Sequence, residues 1–332
     1  MTKLKRVAVI GSNSFSGSDL IDLMLERGSF QIAGISRSPE KSDLFLPYKK
    51  KRSPEFSFHQ LDLNRHMPEI LNFLDDFKPQ WIVNFASQSE VAPSWDRPED
   101  WFQTNGVAFV RLVNHLKGQS ALERYLHIST PEVYGSCVGA VDTDAPMNPS
   151  TPYAVSRAGQ DSILGLLRQR FDFPVVTVRS ANVYGAHQQL WKIIPRSVLY
   201  ALKKKTIELH GGGWARRSFI HIRDVSLGEL AALERGTLGG VYHLSTDTLH
   251  AVRDVVRLAC QAVDRDFEKA SRSVGDRPGQ DSAYILDTRR SKEELGWSAR
   301  VPLEEGLQEV IRWLKDNWDA LGSESLEYAH TP

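Results

Sequence analysis

Two short stretches carry residues whose types and spacing can do chemistry. Ser129-Thr130-Pro131-Glu132-Val133-Tyr134-Gly135 follows Tyr125-Leu126-His127-Ile128, an apolar run that reads as a buried strand. Hydroxyls at the end of such a strand lie at the carboxyl edge of a sheet, where open α/β folds bind ligands. The second stretch, Tyr153-Ala154-Val155-Ser156-Arg157, follows Pro149-Ser150-Thr151-Pro152. Thr151 can cap a helix there, and Pro152 fits its first turn. On that helix Tyr153 and Arg157 are four apart and share a face. A phenol beside a fixed cation has its phenolate form favoured, which makes it a usable base near neutral pH.

The elements that must position these groups begin at the amino end. Arg6-Val7-Ala8-Val9-Ile10 is a continuous apolar strand, Gly11 to Gly17 a glycine turn, and Leu20, Ile21, Leu23, Met24 and Leu25 a helical stripe. Strand, turn and helix in this order form the phosphate-binding unit of a dinucleotide fold, with Gly11, Asn13, Ser14, Phe15, Ser16 and Gly17 around the diphosphate. Ser14 stands where such loops usually carry glycine. Its Cβ crowds the diphosphate, and its hydroxyl can donate to a phosphate oxygen. The second strand, Gln31 to Ile35, ends in Ser36-Arg37-Ser38. NAD sites usually place an acid there for the ribose hydroxyls. Two hydroxyls and a guanidinium instead suit a 2′-phosphate, which tips the reading slightly toward NADP over NAD; a solvated loop arginine explains Arg37 equally well.

A third strand, Phe56 to Leu63, puts Asp62 at its end as an acceptor for the adenine amine, with Leu63 beside it. Trp81 to Ser87 is a fourth, whose end (Phe85, Ala86, Ser87, then Gln88-Ser89) faces the cofactor. Trp101 to Leu116 reads as one long helix containing Asn105, a candidate cofactor contact. Phe173 to Val178 is the sixth strand, ending at Arg179-Ser180-Ala181-Asn182. Strands and helices alternate through residue 185, which predicts an α/β fold with a doubly wound parallel sheet. The pattern then loosens. Residues 1–185 are expected to form the dinucleotide-binding domain. Residues 186–320 form most of a smaller α/β substrate lobe, with some chain crossing back, and 321–332 a tail. Gly240 to Leu244 is a further short strand. Lys192, Arg217 and Arg277 suit a diphosphate, although as surface charges they need no ligand to explain them.

Composition limits the alternatives. Lys+Arg and Asp+Glu both number 41 in 332 residues, so net charge is near zero. Nothing there points to a nucleic-acid or membrane partner. The two cysteines, Cys137 and Cys260, are far apart and lack metal spacing. No apolar run approaches the roughly 20 residues of a membrane span. The first strand starts near residue 6, which leaves no room for a signal peptide. A soluble, cytoplasmic protein without a bound metal is the expectation.

Together these residues resemble the extended short-chain dehydrogenase/reductase family, and within it the nucleotide-sugar 4,6-dehydratases of the dTDP-glucose type. The resemblance runs from Val7 to about Trp318. Its most specific parts are Ser129-Thr130…Glu132-Val133-Tyr134-Gly135, Asn182-Val183-Tyr184-Gly185 with Gln188 and Lys192-Ile193-Ile194-Pro195, Asp276-Arg277-Pro278-Gly279, and Leu295-Gly296-Trp297. It implies a Rossmann-type fold and a tightly bound, recycled NAD or NADP. It also implies a nucleotide-diphosphate sugar as substrate and a homodimer through the helices at 101–116 and 152–168. Tyr153 would take the proton from the sugar's 4-hydroxyl while hydride leaves C4. Glu132 would remove the C5 proton, water would leave from C6, and hydride would return to C6. Thr130 would stabilise charge on the 4-oxygen. Tyr153 and Arg157 would also contact the cofactor. The implied substrate set is Gln88, Ser89, Thr130, Asn182, Lys192, Arg217 and Arg277.

Two positions depart from the family pattern. Arg157 replaces the usual lysine, keeping the charge with a bulkier planar group. Pro131 stands where the bacterial dTDP-glucose enzymes carry an acid for the leaving C6 hydroxyl, so Glu132 or a water must deliver that proton. A 4-epimerase needs the tyrosine but no carboxylate at 132, whereas a UDP-glucuronate decarboxylase fits Thr-x-Glu. A non-catalytic nucleotide-binding regulator is the reading outside the enzymes.

Overall fold

The computed structural model describes residues 4–51, 53–137, 139–275, 285–322 and 324–332. Seven strands build the central sheet: β1 (Lys5–Ile10), β2 (Phe30–Ser36), β3 (Phe56–Gln60), β4 (Trp81–Asn84), β5 (Arg124–Ile128), β6 (Val175–Ser180) and β7 (Val241–Leu244). Their order is β3-β2-β1-β4-β5-β6-β7, and every pairing is parallel. The Rossmann-type expectation is met. The run after residue 240 crosses back to form the far edge, pairing Tyr242 with Val178.

The continuous apolar character of β1 follows from burial on both faces. Val7 and Val9 pack with Leu20, Ile21 and Met24 of helix α1 (Phe15–Arg27) on one side. Ala8 and Ile10 face the other layer, with Ile70, Leu74, Phe109 and Leu112. Strand order reverses at β1, which lies between β2 and β4. Ile10 sits in register with Ile35 on one side and Asn84 on the other. The crevice beyond these aligned carboxyl ends is the ligand position of a doubly wound sheet.

Two expected elements differ in detail. The third strand stops at Gln60, and Asp62 lies in the turn beyond it. The segment 101–116 is not one α-helix: Pro98–Trp101 is a single turn, Phe102–Ala108 is π-helical, and regular α-helix runs over Phe109–Leu116. Asn105, inside the π stretch, is fully buried. Its carboxamide accepts from the Gln88 amide nitrogen at 2.9 Å and donates to the Gln88 carbonyl at 2.9 Å. A widened turn lets this polar side chain reach inward.

The second long helix, here α2 (Pro152–Phe171), starts as its sequence implies: Thr151 Oγ1 accepts from the Ala154 amide at 3.1 Å. Trp101, Phe109 and Leu164 are buried under these helices, while Phe102, Val107, Val110 and Leu166 remain exposed. Beyond residue 185, a separate core gathers Ile194, Val198, Leu199, Leu307, Val310 and Leu314. Phe219–His221 pairs in parallel with Asn182–Tyr184, and Ile207–His210 with Ser271–Val274. Among the described residues no helix is long and apolar enough to cross a membrane.

Candidate active site

A cleft of about 1310 Å³ opens along the carboxyl ends of the sheet. Its dinucleotide half is lined by Gly11, Asn13, Ser14, Phe15, Ser16, Ser36, Arg37, Ser38, Asp62, Leu63, Phe85, Ala86 and Ser87. Gly11 has φ +89°, and a Cβ there would lie 2.8 Å from the Ala86 nitrogen. A Cβ on Gly17 would lie 2.6 Å from the Gly11 carbonyl oxygen. The glycines therefore bring the start of α1 hard against the end of β1, leaving its N-terminus open to the cleft. Gly17 packs closely against Gly11 at this turn. Ser14 is the helix N-cap, accepting from the Gly17 amide at 3.0 Å, and keeps its own hydroxyl proton to donate. A helix N-terminus with such donors fits a diphosphate, so the residues present suit a dinucleotide.

Three of the cofactor candidates have partners within the chain. Asn13 does not point at a ligand alone: its Nδ2 donates to the Ser38 carbonyl at 3.1 Å and the Pro39 carbonyl at 2.8 Å, tying the glycine turn to the loop after β2. Asn105 does not reach the cleft, because its carboxamide is spent on Gln88 and on Ser156 Oγ at 3.0 Å. Arg37 Nη1 donates to the main-chain oxygens of Thr331 at 2.8 Å and Pro332 at 3.0 Å, so its guanidinium is engaged within the chain. Asp62 faces the cleft and accepts from the Asn64 amide at 2.7 Å.

The reactive wall is built from β5 and α2. Ile128, Ser129, Thr130, Pro131, Glu132, Tyr153 and Arg157 all line the cleft. Thr130 caps a short 3₁₀ turn, its Oγ1 accepting from the Glu132 amide at 3.3 Å. That turn places Glu132 one step past Thr130. Tyr153 is anchored through its backbone, its amide donating to Ser94 Oγ at 3.2 Å and its carbonyl accepting from Ser156 Oγ at 2.7 Å. Arg157 is buried, and its Nη2 donates to the Ile128 carbonyl. Burial raises the Tyr153 phenol above its usual value; Arg157 and a hydrogen bond with Thr130 lower it, and the Glu132 charge raises it again. The net direction is upward. Arg157 favours the phenolate as its spacing implies, but burial outweighs the guanidinium.

A buried cluster braces this wall from behind. Asp161, four residues beyond Arg157 on α2, accepts from Ser129 Oγ at 2.8 Å and from Arg179 Nη2 at 2.7 Å. His127 Nε2 stands 3.0 Å from its other oxygen. Arg179 also donates to the Tyr134 hydroxyl, which lies 2.7 Å from His243 Nε2. Burial lowers the His127 imidazole below its ordinary value, against the pull of Asp161.

On the substrate side, Gln88, Ser89, Asn182, Lys192 and Arg217 line the cleft. Gln88 is buried, and its Nε2 donates to the Thr331 carbonyl at 2.7 Å. Lys192 Nζ pairs with Glu90 at 2.6 Å. Arg277 lies outside the described residues. The sequence reading passed over Lys41, Glu90, Arg196 and Tyr200, all in the cleft lining. The last two were findable, because Lys192, Arg196 and Tyr200 recur every four residues along one helix face. Lys41 carries no such signal.

A parallel Rossmann-type sheet with a tyrosine-bearing helix beside its switch point marks the extended short-chain dehydrogenase/reductase class. A family model described as GDP-mannose 4,6 dehydratase matches residues 9–310, and the chain belongs to that family. It is 29% identical over 325 residues to an Arabidopsis thaliana trifunctional UDP-glucose 4,6-dehydratase/UDP-4-keto-6-deoxy-D-glucose 3,5-epimerase/UDP-4-keto-L-rhamnose-reductase, covering 95% of this chain and 48% of that protein. The chain thus spans about half the length of this relative. It is 29% identical to a dTDP-D-glucose 4,6-dehydratase of Mus musculus, covering 95% of this chain and 90% of the relative. Among solved structures, the dTDP-glucose 4,6-dehydratase DesIV from Streptomyces venezuelae, with NAD and TYD bound, superposes with a TM-score of 0.89. It is 26% identical, with 97% of this chain and all of the other covered.

Proposed function

We propose that the protein is a nucleotide-sugar 4,6-dehydratase. The observation that carries this reading is the convergence of Thr130, Glu132, Tyr153 and Arg157 on one wall of the cleft, beside the open N-terminus of α1. A 4-epimerase has no use for a carboxylate beside the threonine. The dehydratase names of the relatives support the same choice.

A nicotinamide dinucleotide, when bound, supplies a hydride acceptor for the sugar's C4 and a hydride donor for its C6. The remaining work falls to the chain. Tyr153 takes the proton of the 4-hydroxyl, and Arg157 offsets the cost of a buried phenolate. Thr130 accepts from the Glu132 amide, so its hydroxyl proton remains for the phenolic and sugar oxygens. Glu132 removes the C5 proton, made acidic by the neighbouring ketone. Pro131 has no proton to give, so Glu132 passes that proton to the departing C6 oxygen; once hydride has reached C6, a proton drawn from solvent through Glu132 completes C5. Lys192, Arg217 and Asn182 hold the nucleotide diphosphate in the lobe built mainly from residues 186–320.

The dinucleotide we propose is NAD. The case for NADP rested on a free Arg37, and the contacts to Thr331 and Pro332 remove that support. We also propose a homodimer through the exposed Phe102, Val107, Val110 and Leu166. Incubation with dTDP-, UDP-, GDP- and CDP-hexoses, followed by product mass, tests the function. Loss of one water is expected from one of them; unchanged mass from all would overturn it.

A further inference from the structure

The segment Tyr328–Pro332 crosses the mouth of the cleft, and its anchors are specific. The His330 ring stacks on Trp101 with centroids 4.9 Å apart and planes 11° from parallel. His330 Nε2 lies 2.8 Å from Asp100 Oδ2, and Nδ1 lies 3.2 Å from the Tyr328 hydroxyl. Tyr328 meets Trp191 edge-on at 6.0 Å. So held, the Thr331 carbonyl accepts from both Arg37 and Gln88, at 2.8 and 2.7 Å. Arg37 follows β2 and Gln88 follows β4, so one carbonyl bridges the two sides of the switch point. Arg37 Nη1 also donates to the main-chain oxygen of Pro332, 3.0 Å away.

We infer that this segment is the cofactor-specificity determinant, doing with the Thr331 backbone carbonyl what a carboxylate after β2 does in other NAD sites. The inference rests on the dinucleotide reading above. No acid stands between Ile35 and Pro39 to accept from the adenosine ribose. The Thr331 carbonyl supplies a neutral acceptor beside the same loop. A ribose 2′-hydroxyl can donate to such an oxygen. A 2′-phosphate has no proton to offer at neutral pH, is repelled by the carbonyl dipole, and must compete with it for Arg37. Held in place, the segment selects NAD. Released, it frees a guanidinium that suits NADP.

The test uses the full chain and two variants. Tyr328→Ala/His330→Ala removes both ring anchors, and a second variant replaces residues 328–332 throughout with glycine and serine. NAD and NADP dissociation constants are measured by titration calorimetry after removal of any copurified dinucleotide. Wild type is expected to prefer NAD. Both variants are expected to gain NADP affinity relative to NAD by about tenfold or more, the size of one charge-assisted hydrogen bond. Adding Arg37→Ala to either variant is expected to abolish that gain. An unchanged NADP-to-NAD ratio in both variants, or a wild type that prefers NADP, would overturn the inference while leaving the dinucleotide reading intact. Failure of every form to bind either dinucleotide would overturn that reading and the inference with it.

Discussion

Replacing Asp161 by asparagine removes the negative charge from the cluster behind the reactive wall while keeping its volume. Asp161 and Arg179 are 6% and 5% exposed and 2.7 Å apart. Leaving a buried cation without its counter-ion costs about 3–5 kcal/mol. An unfolding entropy of about 2.1 cal/mol/K per residue amounts to roughly 0.7 kcal/mol/K for a chain of this length. Asp161→Asn should therefore lower the Tm by about 4–7 °C at neutral pH. The acid response has a defined sign. Burial raises the Asp161 carboxyl, but His127 and Arg179 outweigh it and hold it at about 2, below the ordinary 3.8. A carboxyl depressed in the folded state stabilises above its unfolded value, and that contribution is lost as pH falls from near 4 toward 2. Thermal unfolding by circular dichroism, for wild type and Asp161→Asn from pH 7 downward, reads both effects. A variant within about 1 °C of wild type at pH 7, or a gap that stays constant below pH 4, would refute the electrostatic argument.

Tyr153→Phe should lower turnover by about 10²–10⁴-fold with little change in nucleotide-sugar affinity, because proton transfer is a transition-state contribution; steady-state kinetics with a binding titration separates the two. Arg157→Met removes the cation that opposes burial of the Tyr153 phenol, so the acid limb of kcat/KM should move to higher pH, and Arg157→Lys should hold it near wild type. An unmoved limb in Arg157→Met would reject the pairing. Leu166→Glu, on the exposed face of α2, should yield a monomer by light scattering if that face is the dimer contact.

Legibility in the sequence followed locality. The strands of the sheet announced themselves as apolar runs because both faces are buried, and Thr151-Pro152 announced the helix that carries Tyr153. Asn105 did not, since nothing local distinguishes a carboxamide in a cleft from one turned inward by a π turn. Asp161 was half legible: its spacing from Tyr153 and Arg157 puts it on their helix face, but its partners on β5 and β6 come only from the sheet order. Arg37 was read for its charge, correctly at the carboxyl end of β2, and misread for its partner. That partner is nearly 300 residues away in sequence, at Thr331. The balance at Tyr153 was also out of reach, because a neighbour's charge can be read from spacing and the extent of burial cannot.

The central claim is that hydrogen leaves C4 and returns at C6 across an elimination driven by Glu132. The most direct measurement uses a nucleotide hexose deuterated at C4, turned over in ordinary water, with the product examined by mass spectrometry and NMR. Loss of one water, deuterium at C6, a ketone at C4 and a solvent-derived hydrogen at C5 are expected. A product of unchanged mass with deuterium back at C4 would contradict it.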